Sequence, residues 1–263
     1  MDTVKHIYKD VTLLITHYNR SSSLERLLKS YQDLNCEFEE IVVSDDGSKP
    51  EHLKALKELL KSYAFRLVTS PVNKGLANNL NKGQRAVKTP LTLYVQEDFI
   101  PLPAFTTHFA DALEMMRAQQ ELDIIRFYAY SAYPYLKPYK KGYSEMVIKP
   151  WFTNYRKIYY YTDHPHLRRS SFLEKFGHYV EGIKSDKAEY LMCLSFIQHK
   201  GKGLFFDGYK QLFLQKNSTE EPSTMQRSNW RQSRNPIVAY GRNIYRQIKY
   251  NFDIHFTRQS PHA

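Results

Sequence analysis

The chain has 263 residues, 42% hydrophobic and 25% charged, a composition that supports a buried core and excludes a disordered or collagen-like chain. No stretch reaches the roughly 18 uncharged apolar residues that a membrane-spanning helix needs, and two cysteines cannot build a disulfide framework. Of the net charge of +11, +6 falls after residue 226, where Arg227, Arg231, Arg234, Arg242, Arg246, Lys249 and Arg258 face one acid, Asp253.

The first hundred residues alternate in type. "VTLLIT" (11–16), "EIVVS" (40–44), "FRLVT" (65–69) and "LTLYV" (91–95) are short, β-branched and without alternating polarity. Such runs predict strands buried on both faces of a parallel sheet. Between them, Leu24, Leu27, Leu28, Tyr31 and Leu34 predict one helix, opened by Ser22 and Glu25 at capping-box spacing. Leu53, Leu56, Leu60 and Tyr63 predict a second, opened by Ser48 and Glu51, and a third runs from Leu76 to Val87. This order predicts an α/β, doubly wound, mostly parallel sheet with right-handed crossovers.

Beyond residue 100 the pattern loosens. Phe105, Phe109, Ala112, Leu113 and Met116 predict a helix, and "LDIIRFYAY" a strand. Residues 127–161 hold ten of the 21 tyrosines, which read as rings filling strands and a core or as faces suited to sugar rings, and some of Tyr133, Tyr135, Tyr139 and Tyr143 predict a mobile acceptor loop. A helix from Ser185 to His199 and "GLFF" follow. No linker divides the first 220 residues, so 1–220 reads as one domain (1–99 nucleotide-binding, 100–220 acceptor) and 221–263 as a basic extension. In that extension Ile237, Ile244, Ile248 and Phe252 share a helical face with Tyr240 and Tyr245 beside it and Arg242, Arg246 and Lys249 elsewhere. That pattern predicts a helix lying on anionic membrane or a solvated helix packing on the body.

Cys36 and Cys193 read as buried thiols in apolar helical contexts, suiting a reducing compartment. "MDTVKHIYKD" has no apolar segment of a signal peptide. The expected location is cytoplasmic, peripheral on the inner face of the membrane.

Ligands of doubly wound sheets bind outside the carboxyl ends of the strands. Those ends read "THYNR", "SDDGS", "SPVNKG" and "QEDF", all polar and two acidic. Glu97 and Asp98 are hard oxygen ligands suited to Mg²⁺ or Mn²⁺, and Asp45 and Asp46 can accept hydrogen bonds from a base or ribose. Asp163, His164 and His166 in "DHPH" make only a weak metal cluster. There is no dinucleotide-binding or P-loop glycine motif and no G-x-S-x-G.

"LLITHYNRSSSLERLLKSY", "EEIVVSDDGS" and "NKGLANNLNKGQRAVKTPLTLYVQEDFIP" together resemble the family 2 glycosyltransferases of GT-A fold, and "HLRRSSFLEKFGHY" is similar to a later block. The resemblance runs from about residue 10 to 205. Asn73, Gly75, Ala77, Asn81 and Gly83 fall on the family's N-x-G-x-A-x-x-x-N-x-G. Two positions depart: Gln96 stands at the first place of D-x-D, and Leu80 precedes Asn81 where the family often has Arg or Lys.

The resemblance implies transfer of a sugar from a nucleoside-diphosphate sugar, a UDP-sugar first, to a glycan or lipid-linked saccharide, with inversion and Mn²⁺ or Mg²⁺. It places Asp98 at the metal. Thr16, Tyr18, Asn19, Arg20, Asp45, Asp46, Lys74 and Glu97 lie at the nucleotide, and Asp186 or Glu189 is the catalytic base, with Gly201 twelve residues after Glu189. Asp186 and Glu189 also have capping-box spacing. A sugar-nucleotide pyrophosphorylase would carry a glycine-rich loop after the first strand, and "THYNRSSS" has no glycine. A protein that only binds sugar nucleotides or glycans is the reading Gln96 keeps open. Nucleic acid is not an expected partner, since the positive charge sits in the tail and the rim is acidic.

Overall fold

The computed structural model describes residues 4–149, 151–217 and 236–257. The elements are β1 (His6–His17), α1 (Ser21–Asp33), β2 (Cys36–Asp45), α2 (Pro50–Leu59), β3 (Arg66–Thr69), α3 (Leu76–Ala86), β4 (Leu91–Gln96), β5 (Phe99–Pro101) and α4 (Phe105–Ala118). There follow β6 (Ile124–Arg126), β7 (Leu136–Lys140), β8 (Tyr143–Met146), a 3-10 turn (Tyr155–Tyr160), β9 (His166–Arg169), α5 (Phe172–Phe176) and α6 (Ser185–Gln198). Last come β10 (Gly203–Phe206), β11 (Phe213–Gln215) and α7 (Pro236–Phe256).

Nine strands form one sheet in the order β3-β2-β1-β4-β9-β6-β10-β8-β7, and β11 pairs with β5. The four β-branched runs of the first hundred residues are the parallel edge, β3-β2-β1-β4, as their unbroken apolar character predicts. β9 runs antiparallel between β4 and β6, joining the nucleotide half to the acceptor half. Leu13, Ile15, Val43, Leu93 and Val95 pack with α1 and α4 on one face, while Leu14, Val42 and Tyr94 pack with α3 and α6 on the other.

Several local expectations are corrected. None of the three capping boxes forms: the N-caps are Arg20, Lys49 and Lys184, with no side-chain cap bond at any of them. Pro50 opens α2, and the Ser48 hydroxyl is drawn instead to the buried carboxylate Asp45. Water can serve an exposed helix end but not that acid. Leu59 rather than Leu60 is buried, because α2 ends there. Cys36 opens a strand and is half-buried, whereas Cys193 is buried in α6, and both are free. The expected tyrosine loop is a hairpin, β7-β8, with Tyr133 and Tyr143 in the core. Only three residues of "LDIIRFYAY" are strand. The boundary at 220/221, and Arg227, Arg231, Arg234 and Arg258, lie outside the described residues.

Gly47 turns the chain after β2 at φ +67°, and a Cβ there would lie 2.4 Å from the Val72 carbonyl carbon. Gly47→Ala is therefore expected to cost about 2 kcal/mol or more, a strained backbone plus a backbone clash. A urea midpoint equal to that of the unmodified chain would refute this.

Candidate active site

The carboxyl ends of β1, β2 and β4 open on a cleft of about 910 Å³ whose far wall is built from residues 129–134, 155–164 and the start of α6. Its floor begins with a layer of acids in graded states of satisfaction. Asp45, fully buried, accepts from His17 Nδ1 at 2.8 Å, Ser48 Oγ at 2.5 Å, the Ser48 N–H at 3.1 Å and Thr69 Oγ1 at 2.8 Å. Burial alone would raise its proton affinity, but the bonds from His17, Ser48 and Thr69 outweigh that and hold the carboxyl well below the usual range. Asp45 thus ties β1, β2 and β3 together and does not reach the cleft.

Asp46 does. Its two oxygens take the N–H groups of Lys74 at 2.9 Å and Gly75 at 2.8 Å, which fixes the carboxylate at the cleft wall. Burial raises its proton affinity against those two bonds. Thr16 Oγ1 lies 3.0 Å from the Tyr94 hydroxyl, and Tyr18 lines the cleft beside it. Asn19 does not line it. Its backbone turns at φ +53°, its N–H donates to Ser48 Oγ, and its Oδ1 accepts from the Lys49 N–H, both at 2.8 Å. Lys74 contributes its backbone, and its side chain is not part of the wall.

The turn after β4 carries Glu97 and Asp98. Arg20 Nη1 sits 3.4 Å from Glu97 Oε1 and 3.5 Å from Asp98 Oδ2, and Arg20 Nη2 donates to Asn217 Oδ1 at 2.7 Å. Pairing of β11 with β5 brings Gln215 to the same place, where its Nε2 donates to Asp98 Oδ2 at 2.9 Å. Asp98 Oδ1 is buried and has no protein partner among the described residues. An oxygen so placed fits a cation ligand. No group of three or more His, Cys, Asp or Glu clusters among the described residues, so the fit is to an ion that keeps water or phosphate in its shell. Gln96 also lines the cleft and donates to the Asp163 carbonyl at 3.2 Å.

On the opposite wall, Asp186 and Glu189 of α6 both line the cleft. Glu189 Oε1 accepts the Asp163 N–H at 3.0 Å. Burial first, and the neighbouring Asp163 second, push the Glu189 carboxyl up to about 8. Asp163 takes the hydroxyls of Tyr161 and Tyr179 on one oxygen, each at 2.9 Å, and burial raises its proton affinity too. Arg126, buried beneath, donates to the Tyr159 carbonyl at 2.6 Å and to Thr162 Oγ1 at 2.8 Å. His164 faces the cleft, and burial with the nearby Arg126 lowers it to about 3, so it is neutral.

Of the eleven residues expected at the site, Thr16, Tyr18, Arg20, Asp46, Glu97, Asp98, Asp186 and Glu189 line one cleft, and Asn19, Asp45 and Lys74 support it from behind. The sequence reading missed Arg126, Gln215 and Asn217, and noted Asp163 only as part of a weak metal cluster. A lone arginine closing the apolar run "DIIR" was the one available signal for Arg126, whereas nothing local marks Gln215 or Asn217.

The family model for glycosyl transferase family 2 matches residues 12–177, more than half of the chain. The protein is a family 2 glycosyltransferase. A poly-β-1,6-N-acetyl-D-glucosamine synthase of Staphylococcus epidermidis is 28% identical over 90 residues, 34% of this chain and 22% of that one. A cholesterol galactosyltransferase of Borreliella burgdorferi is 26% identical over 98 residues, 37% of this chain and 27% of that one. The match thus spans about a quarter of each relative's length. Among solved structures, S. aureus TarS 1-349 in complex with UDP-GlcNAc superposes with a TM-score of 0.62 at 16% identity, over 94% of this chain and 72% of that one. The mannosyltransferase PcManGT of Pyrobaculum calidifontis, in complex with GDP-Man and Mn²⁺, gives 0.51 at 15% identity, over 74% and 53%. Both structures share the fold, a mostly parallel mixed sheet flanked by helices.

Asp45 gives a pH signature. Its folded-state proton affinity is depressed, so its stabilisation is complete above the unfolded carboxyl value of about 4 and is lost as pH falls below it. Asp45→Asn is expected to lower the melting temperature at pH 7 and to reduce its further fall between about pH 4 and 2. An unchanged acid limb would contradict the assignment.

Proposed function

We propose that the enzyme transfers a sugar from a UDP-sugar to a hydroxyl of a glycan or lipid-linked saccharide, with inversion at the anomeric carbon. One observation carries the reading: Asp46, Asp98 and Glu189, from three distant stretches of chain, meet in a single cleft of nucleotide-sugar size. The nucleoside lies against Thr16, Tyr18 and Asp46, whose fixed carboxylate accepts from a base N–H. The diphosphate lies by Arg20 and Asp98. Mn²⁺ or Mg²⁺, held by Asp98 with Glu97 beside it, supplies positive charge to the departing diphosphate when bound. Solved relatives of the same fold hold UDP-GlcNAc in one case and GDP-Man with Mn²⁺ in another, which supports this class of ligand.

Glu189 is the base. Its raised proton affinity matches a group that takes a proton near neutral pH. The acceptor hydroxyl, approaching between Glu189 and the tyrosines of the far wall, gives its proton to Glu189 as its oxygen bonds the anomeric carbon. The bond from that carbon to the diphosphate oxygen breaks, and UDP leaves with the electron pair. We place the enzyme in the cytoplasm, on the inner face of an anionic membrane.

A thermal-shift comparison of UDP-, GDP-, CMP- and dTDP-sugars with and without Mn²⁺ tests the donor. A UDP-sugar at 100 times its Kd should stabilise by about 2.7 kcal/mol, and Asp98→Asn should remove the metal-dependent part. No nucleotide-specific shift would overturn the donor assignment. For the base, UDP release should rise with pH through a midpoint near 8, since only ionised Glu189 accepts a proton. Glu189→Gln should lower the rate by about 10²–10⁴ and Asp186→Asn by far less; the reverse order would move the base to Asp186.

A further inference from the structure

Among the described residues, helix α7 is bound along one side. Gln247 Nε2 donates to the Phe152 carbonyl at 3.1 Å, and Lys157 Nζ donates to Asn251 Oδ1 at 2.5 Å. The Tyr190 hydroxyl donates to Asp253 Oδ2 at 2.5 Å, and Gln198 Nε2 to the carbonyls of Asp253, Ile254 and Thr257 at 2.6–3.2 Å. Tyr250 meets the rings of Tyr155 and Tyr190 on that same side.

The opposite side carries Tyr240, Ile244, Ile248 and Phe252 at successive steps of four, with Tyr245 and Phe256 alongside, each between 45% and 70% exposed save Phe256 at 72%. Six large apolar side chains on one face form a contiguous patch of the kind that marks an interaction surface. The expected stripe therefore exists and points away from the body. Ile237's side chain lies outside the described residues. Of the bases, Arg246 lies over the Tyr155 ring and Lys249 over the Tyr190 ring, paired with Asp253, so both stand where the helix meets the body, and Arg242 is half-buried. Trp151, 87% exposed, stacks on His255 of the helix at 6.0 Å and adds a second aromatic anchor.

We infer that this outward face docks on an anionic bilayer and that the acceptor is lipid-anchored. The occupant follows from charge: the stretch from residue 227 on carries +6, whereas a second copy would bring the same +6 and repel it. Each base near an anionic surface contributes about 1 kcal/mol. No helix among the described residues is long and apolar enough to cross a membrane, so α7 lies in the interface plane. Its inner side grips the 3-10 turn whose Tyr155, Arg156 and Tyr159 line the cleft, and Arg246 Nη1 reaches the Tyr155 hydroxyl at 3.3 Å. Docking thus sets the acceptor wall beside the bilayer. The docking stands on its own observations, while the acceptor class rests on the transferase reading.

Flotation of the full chain on phosphatidylcholine vesicles, with and without phosphatidylglycerol, tests the docking. The chain should float with the anionic vesicles, and Ile248→Glu with Phe252→Glu should cut the bound fraction by at least about tenfold at unchanged melting temperature. Equal binding of the chain and this variant, or no binding to either vesicle, would overturn the proposal. So would a lipid-free dimer, seen by light scattering, that the same variant dissolves. The nucleotide-induced thermal shift reads the donor site separately and should survive in the variant.

Discussion

A carboxylate taken out of water must be met by donors or by a cation, and this fold places carboxylates at the buried ends of parallel strands. How completely each is met sorts them by task. Asp45 has four donors and serves as a clasp across β1, β2 and β3. Asp46, one residue on, takes two backbone N–H groups and shows the cleft a fixed acceptor. Asp98 keeps one buried oxygen without a donor among the described residues and has a guanidinium 3.5 Å from the other. In the proposed reading, rigidity, recognition and cation affinity are therefore three degrees of one property.

The far wall obeys the same rule with less charge to spare. Arg168, fully buried, holds Gln84 Oε1 at 2.7 Å and stands 3.5 Å from the Tyr179 hydroxyl, which in turn serves Asp163. That chain of polar groups runs from the sheet centre to Glu189. It sets Glu189 against a second acid in a dry place, where burial makes both hold their protons more tightly and the neighbouring Asp163 adds to the rise at Glu189.

Much of this was legible in residue order. Unbroken β-branched runs give the parallel edge because burial on both faces leaves no alternation, and acids directly after two of them mark the rim. What escaped was tertiary. Gln215 reaches Asp98 only because β11 pairs with β5, more than a hundred residues away in sequence, and no local pattern encodes that pairing. The Ser48 capping box failed because serine spacing says nothing of a competing buried acid such as Asp45. Between the two aspartates of "DDGS" the residues alone left the choice open; which carboxylate is saturated is decided by His17 and Thr69, on other strands. The tyrosine-rich stretch fits two readings: Tyr133, Tyr160 and Tyr161 fill the core as one has it, whereas the loop expected around Tyr139 is a hairpin, since abundance of rings fits a surface loop as well as a packed core.

The central claim is that the acidic rim, and nowhere else, holds the nucleoside diphosphate. Crystals grown with UDP and Mn²⁺ test it most directly. The account predicts anomalous manganese density beside Asp98 Oδ1 and the base against Asp46. Manganese and nucleotide bound at another surface, with that rim bare, would contradict it.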